Sequence, residues 1–229
     1  MEWAGEFLPW FDTNWHPGQH IAAIGPTGQG KSTFTGQILR LRKYVLALDA
    51  KGGDGTLDKL GWPRITSWPP SRQVRQDIAD GLPARLVVGG RARTEREYEE
   101  LRELMSTVID AAFAEGGWTL SIQELQIIAD MMALKKRVER NLIAARDRAS
   151  SIVAEYQAPA WVPTAASRQA TWGVVWPTRD DDVIVSLAKK FGRSREVLGE
   201  ALYALPDYHV LVIGLNPRMP MILTHPPAL

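Results

Sequence analysis

One nonapeptide limits this chain more than any other stretch: Gly25-Pro26-Thr27-Gly28-Gln29-Gly30-Lys31-Ser32-Thr33. It follows a short apolar run, Ile21-Ala22-Ala23-Ile24, and precedes residues of helical character from Ser32 to Arg42. Strand, glycine-rich turn and helix in that order fit the pattern G-x-x-x-x-G-K-[ST]. The glycines let the backbone curl until consecutive N–H groups face one concavity. The helix start adds partial positive charge at the same place. Such a nest suits phosphate. Lys31 is expected to reach the β- and γ-phosphates of a nucleoside triphosphate, and the Ser32 hydroxyl to ligate magnesium. A chance glycine turn is the alternative, and the flanking strand and helix argue against it.

The rest of the chain alternates in the manner of an α/β fold. Tyr44-Val45-Leu46-Ala47-Leu48-Asp49 is a continuous apolar run ending in an acid, as expected of a strand buried on both faces of a parallel sheet. Further strands are expected at 85–89, 118–124, 151–157, 172–176, 209–214 and 221–224, the last two paired across Asn216-Pro217-Arg218. Helices are expected over 94–115, opened by the capping-box pattern Thr94-Glu95-Arg96-Glu97, and over 125–148, 180–191 and 195–205. The reading is one domain over 1–229. Residues 1–19 are a tryptophan-rich lead-in packed beside the first strand, and 206–229 form a C-terminal strand pair. Trp10 or Trp15 either pack in that lead-in or lie near a nucleotide base.

Strand ends supply the remaining candidates, because α/β sheets place their sites there. The strand Trp118-Thr119-Leu120-Ser121-Ile122 ends in Gln123-Glu124. Triphosphate hydrolases carry an acid pair at this point, one acid for the magnesium shell and one to polarise water. Glu124 fits the second role. Gln123 offers only an amide, which accepts a hydrogen bond from metal-bound water more weakly than a carboxylate does. Asp49 and Lys51, in Asp49-Ala50-Lys51-Gly52-Gly53-Asp54-Gly55, either line the site or belong to a solvated turn. Gln157, at the end of Ser151–Gln157, is placed to sense the γ-phosphate or hold the attacking water. Arg146 and Arg148 precede that strand; either is a finger offered to a neighbouring subunit or a structural ion-pair partner. Lys135, Lys136, Arg137 and Arg140 are either a nucleic-acid-facing strip or a solvated helix face. Arg91, Arg93 and Arg96 read as a solvated helix start rather than a phosphate patch.

Composition excludes several classes. Without cysteine there is no disulfide and no thiolate-bound zinc, which fits a cytoplasmic setting. No metal-binding cluster of histidines is visible in the sequence. No apolar run approaches the roughly 18–20 residues of a membrane span, and the acidic N-terminus is unlike a signal peptide. A formal net charge of +1 gives no global field for nucleic acid, so any DNA contact is local or arises on assembly.

The phosphate loop, Leu48-Asp49-Ala50-Lys51-Gly52, Ile122-Gln123-Glu124 and Arg146…Tyr156-Gln157-Ala158-Pro159 together resemble the FtsK–HerA superfamily of DNA-translocating ATPases, over roughly residues 18–215. That family commonly shows an Asp-x-Lys-Gly strand end and an arginine before a strand ending Thr-Gln-x-Pro. Gln157 matches, and Tyr156 departs. The resemblance implies a P-loop NTPase of the RecA-like (ASCE) type: a mostly parallel sheet flanked by helices, with ATP and Mg2+ as cofactors. It implies a homo-oligomeric ring, hexamer or pentamer, threading double-stranded DNA. At this size the chain is similar to genome-packaging ATPases of tailless, internal-membrane viruses, which work in the host cytoplasm or at a virion vertex beside a capsid or portal-like protein. By matching positions Lys31 and Ser32 bind phosphate and magnesium, and Glu124 activates water. Gln157 senses the γ-phosphate, and Arg146 or Arg148 is the finger. A nucleotide-dependent switch with slow hydrolysis is the alternative that Gln123 favours. A small-molecule kinase is disfavoured, since neither a lid nor an acceptor pocket is recognisable.

Overall fold

The computed structural model describes residues 1–52, 55–157, 164–216 and 218–228. Among these residues nine strands form one sheet: β1 His20–Ile24, β2 Tyr44–Leu48, β3 Arg64–Ile65, β4 Ala84–Val88, β5 Thr119–Ile122, β6 Ser151–Tyr156, β7 Ala170–Val175, β8 Val210–Gly214 and β9 Ile222–Thr224. Their spatial order is β3-β4-β2-β5-β6-β1-β7-β8-β9. The strands from β3 to β7 in that order pair in parallel. The last two run antiparallel to their neighbours. The expected strand pair is therefore β8–β9, and β8 also closes antiparallel onto β7. Neither the two-residue β3 nor helix α7 (Thr164–Gln169) is in the sequence reading. The expected exit loop Ala158–Pro163 lies outside the described residues, as do Gly53, Asp54 and Pro217.

Alternation along each strand divides the core into two layers. Ala22, Ile24, Leu46, Leu48, Leu120, Ile122 and Ile152 face helices α5 (Glu95–Glu115), α6 (Lys135–Ala144), α8 (Asp181–Phe191) and α9 (Arg195–Tyr203). Ile21, Ala23, Val45, Val153 and Val174 face α1 (Leu8–Asn14) and α2 (Lys31–Ile38). Helix α5 starts with the expected capping box, Glu97 N–H donating to Thr94 Oγ1 at 3.2 Å and Thr94 N–H to Glu97 Oε2 at 3.1 Å. Among the described residues no helix is long and apolar enough to cross a membrane.

The expected continuous helix over 125–148 is not one helix. A short wide turn, Ile127–Met131, ends at Ala133, whose φ is +54°, and the chain restarts as α6. A positive φ costs an alanine about 1–2 kcal/mol. The sequence hides the break because no glycine or proline stands there; the burial of Ile128, Met132, Leu134 and Val138 around it supplies the compensation.

The lead-in is organised by spacing. Trp3, Phe7, Phe11 and Trp15 recur every four residues and stack in sequence, with ring centroids 5.0, 5.3 and 5.6 Å apart. This aromatic ladder presses on Phe34 of α2 and on Trp172 of β7, edge to face at 5.2 and 5.3 Å. Trp10 meets Trp172 at 5.7 Å. Arg42 lies over the Trp15 ring at 3.7 Å and donates to the Trp15 carbonyl at 2.8 Å. Packing, not a nucleotide base, therefore occupies Trp10 and Trp15. The ladder clamps the helix that carries the phosphate loop. Phe11→Ala, at a position with no exposed surface, is expected to cost about 3–5 kcal/mol, read as a lowered urea midpoint.

Candidate functional site

The glycine-rich turn joins β1 to α2. Gly28 and Gly30 hold φ values of +83° and +87°, which bend the chain around the helix start. Lys31 is the first helical residue and is buried. Its ammonium donates to the Gly25 and Pro26 carbonyls at 2.8 Å each, so the side chain runs back along the loop. Burial pulls this ammonium below the usual lysine range, while the Glu155 and Glu124 carboxylates oppose the pull.

Three strand ends stand level with the loop. Leu48 pairs with Ile122, and Ile122 with Ala154. The next residues, Asp49, Gln123 and Glu155, thus form a row across β2, β5 and β6, one strand spacing of about 4.8 Å apart. All three are buried. The amide of Gln123 sits between two carboxylates. Glu155 accepts from Ser32 Oγ at 3.1 Å and from Thr35 Oγ1 at 2.5 Å. The sequence reading missed Glu155. Its signal is a carboxylate inside the otherwise apolar run Ile152-Val153-Ala154-Glu155-Tyr156.

Asp49 is an anchor. Its Oδ1 takes the Gly52 N–H at 2.9 Å, and its Oδ2 takes Arg64 Nη1 at 2.9 Å; Arg64 also reaches Asp58 at 2.9 Å. Gly52 packs so tightly that an added Cβ would lie 2.1 Å from the Arg91 backbone, and its φ of +61° also suits glycine. The fixed turn projects Lys51 across the cleft, where Nζ meets Glu124 Oε1 at 2.9 Å. Glu124 itself has φ +54°, a backbone state that L residues avoid. Asp49 and Lys51 both line the site, as one of the two sequence readings has it.

The other candidates fall differently. Gln157 Nε2 donates to Thr27 Oγ1 at 3.0 Å, which brings it onto the loop. Arg91, read from sequence as solvated, lines the cleft. Arg148 lies before β6, a strand length of roughly 20 Å from its own chain's loop. There its guanidinium covers Phe113 at 4.3 Å and donates to the Ala114 carbonyl at 3.2 Å. Arg146 begins the same turn, and its side chain lies outside the described residues. Arg137 and Arg140 both pair with Asp110 of α5, at 3.0 and 2.6 Å, so this part of the basic strip has partners across the helix pair.

The phosphate loop, Asp49, Lys51, Arg91, Gln123, Glu124 and Glu155 line a cleft of about 610 Å3. Its phosphate end combines curled glycines, a helix start and an ammonium, which suits a polyphosphate. Ser32, Gln123 and Glu155 offer oxygen donors of the kind a hard divalent cation takes. Among the described residues no three His, Cys, Asp or Glu side chains converge as a metal site. A cation here would share its shell with phosphate and water, as magnesium does.

Phosphate loop, helix and a parallel sheet in which one strand separates β1 from β5 define the P-loop NTPase fold of the RecA-like type. Solved structures share it. The genome packaging NTPase B204 of Sulfolobus turreted icosahedral virus 2, in complex with sulfate, superposes with a TM-score of 0.62 at 18% identity, over 94% of this chain and 99% of that one. VirB4 of Thermoanaerobacter pseudethanolicus gives 0.62 at 10% identity, over 92% and 89%. The pCW3 conjugation coupling protein TcpA, with ATPγS, gives 0.52 at 12% identity, over 93% and 60%. What the chain shares with these structures is the fold. No protein-family model and no curated protein matches the chain.

Anchor and arm separate experimentally. Arg64→Ala removes the guanidinium from a buried carboxylate and is expected to cost about 1.5–3 kcal/mol. Lys51→Ala breaks an exposed pair and is expected to cost less than about 1 kcal/mol. Equilibrium denaturant unfolding of the two variants checks the contrast.

Proposed function

We propose that this protein hydrolyses ATP to drive double-stranded DNA through a homo-oligomeric ring, as a genome-packaging motor. The observation that carries the reading is the cleft itself. Lys31 and Ser32 lie on one wall, Glu124 at the end of β5, and Gln157 on the loop through Thr27. Likeness to a virus packaging NTPase over nearly the whole of both chains supports the choice of motor.

In this reading the loop N–H groups and Lys31 hold the triphosphate. Ser32 ligates Mg2+, with Gln123 contacting its water shell. The metal, when bound, neutralises phosphate charge. Glu124 accepts a proton from the attacking water once Lys51 releases it, and Gln157 orients that water or senses the γ-phosphate. Arg146 or Arg148 enters the cleft of the neighbouring subunit. The distance of Arg148 from its own loop accords with a role in trans. Exposed Lys135 and Lys136 become pore cations when repeated around a ring. The site of action is the cytoplasm of a host, at a virion vertex.

A second reading is favoured by one contact. The Lys51–Glu124 pair ties up the carboxylate that would activate water, and beside it stands the neutral Gln123. A nucleotide-dependent switch with slow hydrolysis would have this form.

Two measurements decide. For the motor, duplex DNA raises the ATPase rate, and Lys31→Ala lowers it by about 100-fold or more; normal turnover in that variant would refute the site. Lys51→Ala separates the readings. In the motor the freed Glu124 raises turnover without DNA. Under the switch reading, turnover stays at its slow basal value.

A further inference from the structure

The first residue past β5, before Glu124, is the amide Gln123, and the neighbouring strand carries an acid level with it. We propose that Glu155 is the positioning residue for the cation: it supplies the carboxylate that Gln123 does not, and fixes the Ser32 hydroxyl so that its lone pairs face the cleft. The assignment rests on the reading of the loop as a magnesium–triphosphate site.

Three observations converge on it. First, Glu155 accepts from Ser32 Oγ at 3.1 Å, and Ser32 is the loop hydroxyl that ligates magnesium in P-loop enzymes. Second, Glu155 is only 3% exposed. Burying a carboxylate is costly without compensation. Hydroxyls donate to both of its oxygens, and Lys31 lies within its field. Third, the register puts Glu155 level with Gln123 on the adjacent strand, so the acid has moved sideways by one strand and not along the sheet edge.

The chemistry depends on proton direction. Ser32 gives its single proton to Glu155 at 3.1 Å. What the serine oxygen then presents to the cleft is lone pairs, as a cation requires. An amide can donate as well as accept. With glutamine at this position the serine proton is free to turn toward the cleft, and the local negative charge is gone. Thr35 holds the other carboxylate oxygen and sets the rotamer of the side chain.

The test follows binding of a fluorescent ADP derivative as Mg2+ is titrated, with EDTA controls and thermal unfolding alongside. Glu155→Gln is expected to raise the half-saturating Mg2+ concentration by about 10- to 100-fold, with metal-free nucleotide affinity retained. Returning the acid to β5, in Gln123→Asp/Glu155→Gln, is expected to recover most of that loss, which a merely structural glutamate would not allow. An unchanged Mg2+ requirement in folded Glu155→Gln overturns the proposal. If that variant does not fold, the double variant is read against the wild type. A metal requirement near the wild type's supports the relocated acid, and a shift of about tenfold or more overturns it. Absence of nucleotide binding by the wild type would instead refute the reading of the loop on which the assignment rests.

Discussion

Strands that run in one direction bring their carboxyl ends to one edge, and this constraint governs the whole molecule. Through β3, β4, β2, β5, β6, β1 and β7 every crossover returns to the same starting side. The phosphate loop, the Asp49 turn, Gln123-Glu124 and Glu155 through Gln157 all emerge together for that reason. None of them is near another in sequence. Only β8 runs the other way; β9, antiparallel to β8, again turns its carboxyl end to this edge.

On that edge the polar groups are distributed by depth. The residues facing α2 (Asp49, Gln123 and Glu155) are buried and hold the frame. Lys51 and Glu124, one or two residues further on, are partly exposed and form the contact that can change. The anchor chain runs from Arg64 through Asp49 to the Gly52 N–H, and so to the direction in which Lys51 projects. Fixed charges lie beneath and adjustable ones above. The strained backbone of Glu124 belongs to the adjustable group, and strain of this kind gathers at working sites.

Much of this was readable from residues alone. The phosphate loop, the apolar runs of the buried strands, the capping box at Thr94 and the strand-end placement of Gln157 all carry local signals, and the structure puts them where those signals point. What was not readable depended on the third dimension. Glu155 looks like an ordinary residue until the pairing of β5 with β6 sets it beside Gln123. Arg91 resembles any cation at a helix start until Gly52 packs against its backbone. The break at Ala133 has no glycine or proline to announce it. Arg148 belongs, within one chain, to the far end of its strand, and its partners there are Phe113 and the Ala114 carbonyl.

The aromatic ladder of the lead-in has a mechanical consequence. The rings at positions 3 and 7 bear on Phe34, and Phe34 in turn bears on Trp176 at 5.7 Å. Phe34 of the helix behind the phosphate loop is thereby held between two aromatic surfaces, and Trp3 Nε1 also donates to Gln37 of that helix at 2.6 Å. Local opening needs few buried contacts, and here they are dense. The loop is therefore the anvil of this site. Across the cleft from it stands the more exposed wall, where Lys51 and Glu124 meet.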